Sequence, residues 1–431
     1  MMRKKASAEI DSVSKDDMEV LRKLGEKYAE IASKPQHQKK AEMWTLLNNL
    51  NDIKPMIWVN EIPWHEMEKN DELKIKSEDS LLQQIETELR RKIYKWEHFD
   101  SDMVIEGKIR SPLAIDDSGF GIEEDVDIVR TDPQSDIVSR EFHTQIDGED
   151  DLEKIKYPEI VHDEIQSERN YRILKEIFED ILPVVKEGVP GLWFAPWDQL
   201  VRWRGPEKAL KDLVKNPDLM HKAMDRLVNA HLHRLEQLED LGLLARNDRN
   251  VRIGSGGYGY TSELPDGNTS NLNASDLWGC SAAQIFSEVS PKMHEEFSLK
   301  YEKRWLEKFG LTYYGCCEPL DEKVNILRPI SNLRKISMSP WVDLKTGAEE
   351  IGEDFVFSLK PNPQILAKKK WKPEIARKRI RKSLEKTEGC NVEIIMKDIS
   401  TLRYEPERLW EWTEIAQEEA LKFAEERGLK T

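Results

Sequence analysis

Cysteine is scarce here: four residues in 431, at 280, 316, 317 and 390, are too few for a disulfide framework, and neighbours such as Cys316 and Cys317 rarely bridge. They read as reduced thiols. Long apolar runs are missing too. None approaches the roughly 20 residues that span a bilayer, and Met-Met-Arg-Lys-Lys at the start gives way to a mostly polar run from Ser7 to Asp17, not to an apolar signal core. A soluble, cytoplasmic protein is expected. Positive charge is in deficit, with 66 Lys and Arg against 82 Asp and Glu, a formal net charge of −16. That balance argues against nucleic acid or an anionic membrane as a general partner.

What is present is an alternation of short apolar strands and amphipathic helices. Leu21, Leu24, Tyr28 and Ile31 recur at helical spacing between Lys15 and Ser33, giving an N-terminal helix that serves as packing material or a dimer arm, followed by a basic, mobile link through Lys39 and Lys40. Residues 1–54 form this extension. Pro55 to Val59 is the first inner strand, with Asn60 and Glu61 at its carboxyl end. Helices are expected over Ser80–Trp96, Glu168–Ile181, Gly205–Val214, Asn216–Leu241, Pro373–Lys386 and Glu405–Glu426. Between Asp116 and Asp150 acidic residues cluster without helical period, so a long excursion with a hairpin around Val126–Val129 and Ile137–Gln145 is expected there. His143 in that excursion and Asp198 after Trp197 are candidate ligand contacts; His231 reads as a core-edge histidine.

Strands counted near 55, 104, 191, 251, 311, 335, 355 and 391 number eight and alternate with helices over residues 55–431, the pattern of a closed (β/α)8 TIM barrel. In such folds the residues just past the strands' carboxyl ends line the ligand site. The stretch 310–320, Gly-Leu-Thr-Tyr-Tyr-Gly-Cys-Cys-Glu-Pro-Leu, therefore places Cys316, Cys317 and Glu318 where chemistry is expected. The glycines from 254 to 259 superficially match a phosphate cradle, but Leu264-Pro-Asp-Gly-Asn follows where a dinucleotide site needs a helix. A mobile lid carrying Tyr258 and Tyr260 is expected instead. The basic run through Lys368–Lys370 and Lys372–Lys382 reads as a solvated helix face able to dock an acidic partner.

Several of these features together resemble the uroporphyrinogen decarboxylase-like superfamily, which includes the decarboxylases and the methyltransferases that act on corrinoid proteins. They are Pro55-Met-Ile-Trp58, Asp151-Leu-Glu-Lys with Pro158, the Gly191–Gly205 unit followed by Asn216-Pro-Asp, the run from Trp278 to Ser290-Pro291, Cys316-Cys317-Glu318, and Lys360-Pro-Asn-Pro363, spanning roughly Pro55 to Phe423. The resemblance implies that Cys316, or Cys317 after a one-residue shift, is the family cysteine. It also implies a corrinoid-linked methyl transfer, with zinc held by thiolates and lowering a substrate thiol's pKa. Where the decarboxylases carry an arginine-rich segment, this chain has Asn60-Glu-Ile-Pro-Trp-His65. Where the methyltransferases carry a histidine and a late cysteine, it has Tyr314 and Lys397-Asp398.

The site expected on these grounds has Cys316 and Cys317 as metal ligands or thiolate, joined by Glu318, Cys280, Asp398 or Glu61. Glu61, Glu318 and Asp398 are its candidate catalytic groups; Asn60, Arg110, Tyr258, Tyr260, Tyr314 and Lys360 would contact substrate. The first function is methyl transfer from a small methylated substrate, with cobalamin as substrate or as the cofactor of a corrinoid partner protein. The alternatives are a decarboxylase or lyase of a small acid, in which Arg110 and Lys360 bind the carboxylate, and a silent ligand-binding barrel.

Overall fold

The computed structural model describes residues 13–129, 139–265 and 272–431. Its parallel pairing involves, in chain order, β1 (Met56–Val59), β2 (Ile109–Pro112), β3 (Val184–Glu187), β4 (Trp278–Ser281), β5 (Leu311–Tyr314), β6 (Leu333–Met338), β7 (Val356–Leu359) and β8 (Asn391–Met396). Six of them make one sheet in the order β1-β8-β7-β6-β5-β4, and every neighbouring pair is parallel. β1, β4, β5, β7 and β8 are buried at every position, as expected of a parallel sheet covered on both faces by its crossover helices. β2 pairs with β3 separately, also in parallel.

Further bonds extend from both edges of the sheet. Asp102 N–H donates to Ile57 O beside β1, Val189 beyond β3 makes a parallel bridge to Leu244, and Asn247 bonds both main-chain groups of Trp278 in β4.

Three strand expectations are corrected. Near 104 the strand starts later, at Ile109, because Val104 O is taken by Asn250 Nδ2 (2.7 Å) and Tyr258 OH (3.4 Å) and no ladder forms there. Gly191–Ala195 is irregular; Val184–Glu187, just before it, is the strand. Near 251 there is only an antiparallel bridge between Arg252 and Tyr258. The strand at Trp278–Ser281 carries a weak β signal because its centre is Gly279, where an added Cβ would lie 2.4 Å from Phe309.

The N-terminal helix Lys15–Ala32 buries Leu21, Tyr28 and Ile31 in one apolar cluster with Leu82, Leu89, Ile177 and Phe178 of the same chain. The expected link through Lys39 is instead a second helix, Gln36–Asn48. Its apolar residues, Met43, Trp44 and Leu47, crowd the last turns and leave no period over the basic first half. In the excursion, Val126–Val129 pairs antiparallel with Ser139–Phe142. The start of the expected second arm, at Ile137, lies outside the described residues, as do Ser7–Ser12 of the polar run and Asp266–Asn268 of the turn after Leu264. No helix among the described residues is long and apolar enough to cross a membrane.

Candidate active site

Three strand ends build one cluster. β5 stops at Gly315, whose φ of 98° suits glycine and turns the chain where an added Cβ would meet Leu320 at 2.5 Å. The turn is fixed from both sides: Ser337 Oγ donates to Cys316 O (2.8 Å), and Cys316 N–H donates to Glu318 (2.9 Å). β1 and β8 pair side by side, and Asn60 N–H extends the pairing to Met396 O (2.9 Å). Just beyond, Glu61 and Asp398 both take left-handed backbone angles, φ 48° and 54°. Side chains other than glycine, asparagine or aspartate rarely sit there without a local reason.

Lys397 lies at the centre. Its Nζ is 3.2 Å from Cys316 Sγ, 3.3 Å from Glu61 Oε2 and 3.3 Å from Asp398 Oδ2. Cys317 Sγ is 3.6 Å from Cys316 Sγ and 3.5 Å from Asp398 Oδ2, and Arg252 Nη1 reaches Glu61 Oε1 at 3.4 Å. The thiol hydrogen bond from Cys317, joined by the Lys397 charge, outweighs burial and holds the Cys316 thiol below its ordinary value. The same bond pushes Cys317 far up, since Cys317 keeps the proton it donates. Burial and a shared proton with Asp398 raise Glu61. Asp398 is lowered despite burial, because Glu61 donates to it and Lys397 lies close. The cluster thus sets a thiol that ionises more readily than usual beside an ammonium, and a carboxyl that holds its proton more tightly than its neighbour does.

Beneath it runs a buried polar column. Lys360 Nζ donates to Ser358 Oγ (2.6 Å) and to Tyr313 OH, Ser358 Oγ donates to Glu393 (2.6 Å), and Lys335 Nζ pairs with Glu393 (3.0 Å). Burial pushes Lys360 down to about 7.

The glycine segment packs inside the fold, which corrects its reading as a lid. Cβ atoms at Gly256 and Gly257 would lie 2.4 Å from Glu393 Oε1 and 2.3 Å from the Trp44 ring, and Gly257 N–H donates to Glu393 (3.2 Å). The glycines let backbone approach a buried carboxylate and an indole, not a phosphate. Tyr258 is buried between Trp44 and Trp58, with half-buried Tyr260 at its edge.

Other expected residues separate into those at the mouth and those that hold the fold. Asn60 stays at the mouth with a buried Nδ2 that makes no hydrogen bond among the described residues. Glu318 is fully buried and clamps the turn, accepting from the main chain of Ala283 (3.0 Å) and Cys316. Tyr314 belongs to a core network with Glu302 (2.7 Å) and His294 (2.7 Å). Arg110 is tied on β2 to Glu187 and Glu106. Burial raises the Cys280 thiol to about 11 and Asp198 to about 6, the latter bonded to Gln284. His231 is buried against Phe194 and bonded to Gln199, while His143 pairs with Asp127 on the exposed hairpin. Lys397 was visible in the sequence only as a departure from the family's ligand pattern; its position after β8, beside the thiol strand, is the signal for its role.

The donor set does not fit zinc. Among the described residues no group of three or more His, Cys, Asp and Glu side chains converges to hold a metal ion. The point that Cys316, Glu61 and Asp398 share is taken by the Lys397 ammonium. The cation of this cluster is an amine.

No family model and no curated protein matches the chain. Among solved structures, a methyltransferase from Methanosarcina mazei aligns over 88% of this chain and 98% of its own, with 13% identity and a TM-score of 0.47.

Proposed function

We propose that the chain is a closed (β/α)8 barrel enzyme of the uroporphyrinogen decarboxylase-like kind that transfers a methyl group from a small methylated substrate, with Cys316 as a metal-free nucleophile. The bonds running from β1 to Asp102, from β2 to β3, from Val189 to Leu244 and from Asn247 to β4 support the barrel. The observation that carries the chemistry is Lys397 Nζ 3.2 Å from Cys316 Sγ at the strands' carboxyl ends.

In the first half-reaction the Cys316 thiolate attacks the methyl carbon. The bond from that carbon to its heteroatom breaks, and the electron pair leaves with the heteroatom. Glu61, whose carboxyl holds its proton more tightly than usual beside Asp398, protonates a leaving group that departs as an anion. In the second half-reaction another nucleophile removes the methyl group and the thiolate re-forms against Lys397. For that second substrate the resemblance implies the corrinoid of a partner protein. Asn60, just past the carboxyl end of β1, would orient the donor.

Methyl iodide, a generic donor, tests this directly. Intact-mass and peptide analysis should show one added methyl group, on Cys316, absent in Cys316→Ser and formed more slowly in Lys397→Met. Equal labelling of Cys317 and Cys390 would sink the assignment. The upward shift of the Glu61 carboxyl also favours a second reading, a lyase in which Glu61 protonates a carbanion; solvent deuterium in the product of a small acid, lost in Glu61→Gln, would identify it.

A further inference from the structure

A cleft of about 690 Å3 lies between the end of β1, the helix Ser80–His98 and the Met103–Val104 segment. It exists because β1 and this segment share no continuous ladder here: Val104 O is used by Asn250 and Tyr258. Trp58, Trp64, Gln84, Arg91, Lys95 and Asn250 line it.

One cation of the cleft lacks its natural partner. Lys95 is half-buried, and its Nζ donates only to Val59 O (3.2 Å), with no carboxylate in ion-pair range among the described residues. A cation on a cavity wall with no carboxylate beside it asks for an anion from outside. The surrounding charge agrees. Arg91 stacks over the Trp64 ring at 4.8 Å, Lys92 is matched by Glu88, and Lys95 Nζ lies 4.7 Å from the Trp58 ring centre and 6.0 Å from that of Trp64. Burial, with the charges of Arg252, Arg91 and Lys92 adding, pushes Lys95 down to about 7, as expected of a cation whose counter-charge is missing.

We propose that this cleft binds a small planar acid, its carboxylate accepting from Lys95 Nζ and its flat body lying against the indole edges. The carboxylate matches the charge of Lys95, and the aromatic walls favour a π-faced body over a bare anion. The inference goes beyond the Cys316 reading and does not depend on it.

Benzoate is the probe, followed by saturation-transfer NMR with neutral benzamide and inorganic phosphate alongside. Saturable binding of benzoate is expected, at least tenfold tighter than benzamide and weakening as pH rises through about 7, where Lys95 loses its proton. Lys95→Met should weaken it at least tenfold, and Lys95→Arg should retain most of it. Cys316→Ser should bind as the wild type does, so failure of the thiol chemistry leaves this result standing. Benzamide binding as well as benzoate, Lys95→Met binding unchanged, or phosphate binding while benzoate does not, would each overturn the proposal. Should Lys95→Met fail to fold, the benzoate-to-benzamide ratio and the pH dependence of the wild type decide the matter alone.

Discussion

Glu61 and Asp398 leave the paired strands β1 and β8 in the same left-handed backbone conformation, φ 48° and 54°, and both carboxyl groups reach the Lys397 ammonium at 3.3 Å. The left-handed region costs side chains other than glycine, asparagine and aspartate about 1–2 kcal/mol, so the fold holds Glu61 against its own preference. Glu61→Ala keeps the strain and loses the carboxyl, whereas Glu61→Gly loses both. Glu61→Gly should therefore be more stable than Glu61→Ala by about 1 kcal/mol in urea unfolding. Both should lose the transfer activity. Equal stability would mean that the backbone at 61 is unstrained.

The thiol pair gives a pH signature. Cys316 is held below the ordinary thiol value, so it keeps thiolate, and reactivity toward iodoacetamide, at pH values where a free cysteine is protonated. Removing the Cys317 donor in Cys317→Ala, or the charge in Lys397→Met, returns the profile toward higher pH. Each unit of upward displacement lowers the thiolate fraction at neutral pH about tenfold. Alkylation rates followed by mass spectrometry between pH 5 and 9 check this; superimposable profiles would detach Cys316 from both neighbours.

Most helices and the strands around residues 56, 311, 335, 357 and 393 were legible because their apolar residues form uninterrupted buried runs or a clear helical period. What hid was built from weak signals. β4 is Trp-Gly-Cys-Ser, a strand whose glycine answers to Phe309 from another element, and the helix Gln36–Asn48 keeps its apolar residues at one end. At the mouth the thiols and Glu61 were visible from their places at strand ends. Glu318 stands in an equally exposed-looking place in the sequence, yet it serves the turn, because which way a residue faces after a strand breaks depends on Gly315. Lys95 escaped altogether, since a lysine on an amphipathic helix looks solvated until the wall opposite is known.

The glycines at 256 and 257 make a packing prediction. In Gly257→Ala the new methyl group would lie 2.3 Å from the Trp44 ring and 3.0 Å from Glu393 Oε2, and neither neighbour is free to retreat, Trp44 being fully buried and Glu393 paired. Overpacking of this kind costs about 1–3 kcal/mol. A matching loss in chemical denaturation is expected for Gly257→Ala and not for Gly148→Ala, where an added Cβ meets nothing within 4 Å. Wild-type stability in Gly257→Ala would show that the segment can leave the interior, restoring the lid.

The final prediction concerns the pair beneath the site. Lys335 and Glu393 are 3.0 Å apart with neither side chain exposed. Burial pushes both groups toward neutrality, and it wins at Lys335, which is lowered; Glu393 is also lowered, because Lys335, Lys360 and the Ser358 hydroxyl together outweigh its burial. Glu393 is therefore the charge the column is built to hold. Lys335→Met leaves that carboxylate short of a cation and should cost about 3–5 kcal/mol, while Lys335→Met combined with Glu393→Gln should recover part of the loss. The pH sign follows from the lowered carboxyl. A group whose folded pKa is depressed contributes stability above its unfolded value and loses it as pH falls through the folded one. The stability gap between wild type and Glu393→Gln should thus be full at neutral pH and begin to close below about pH 4.3, the ordinary glutamate value. A gap that widened in acid would mean that Glu393 is protonated in the folded chain, and the column would then be held by neutral hydrogen bonds.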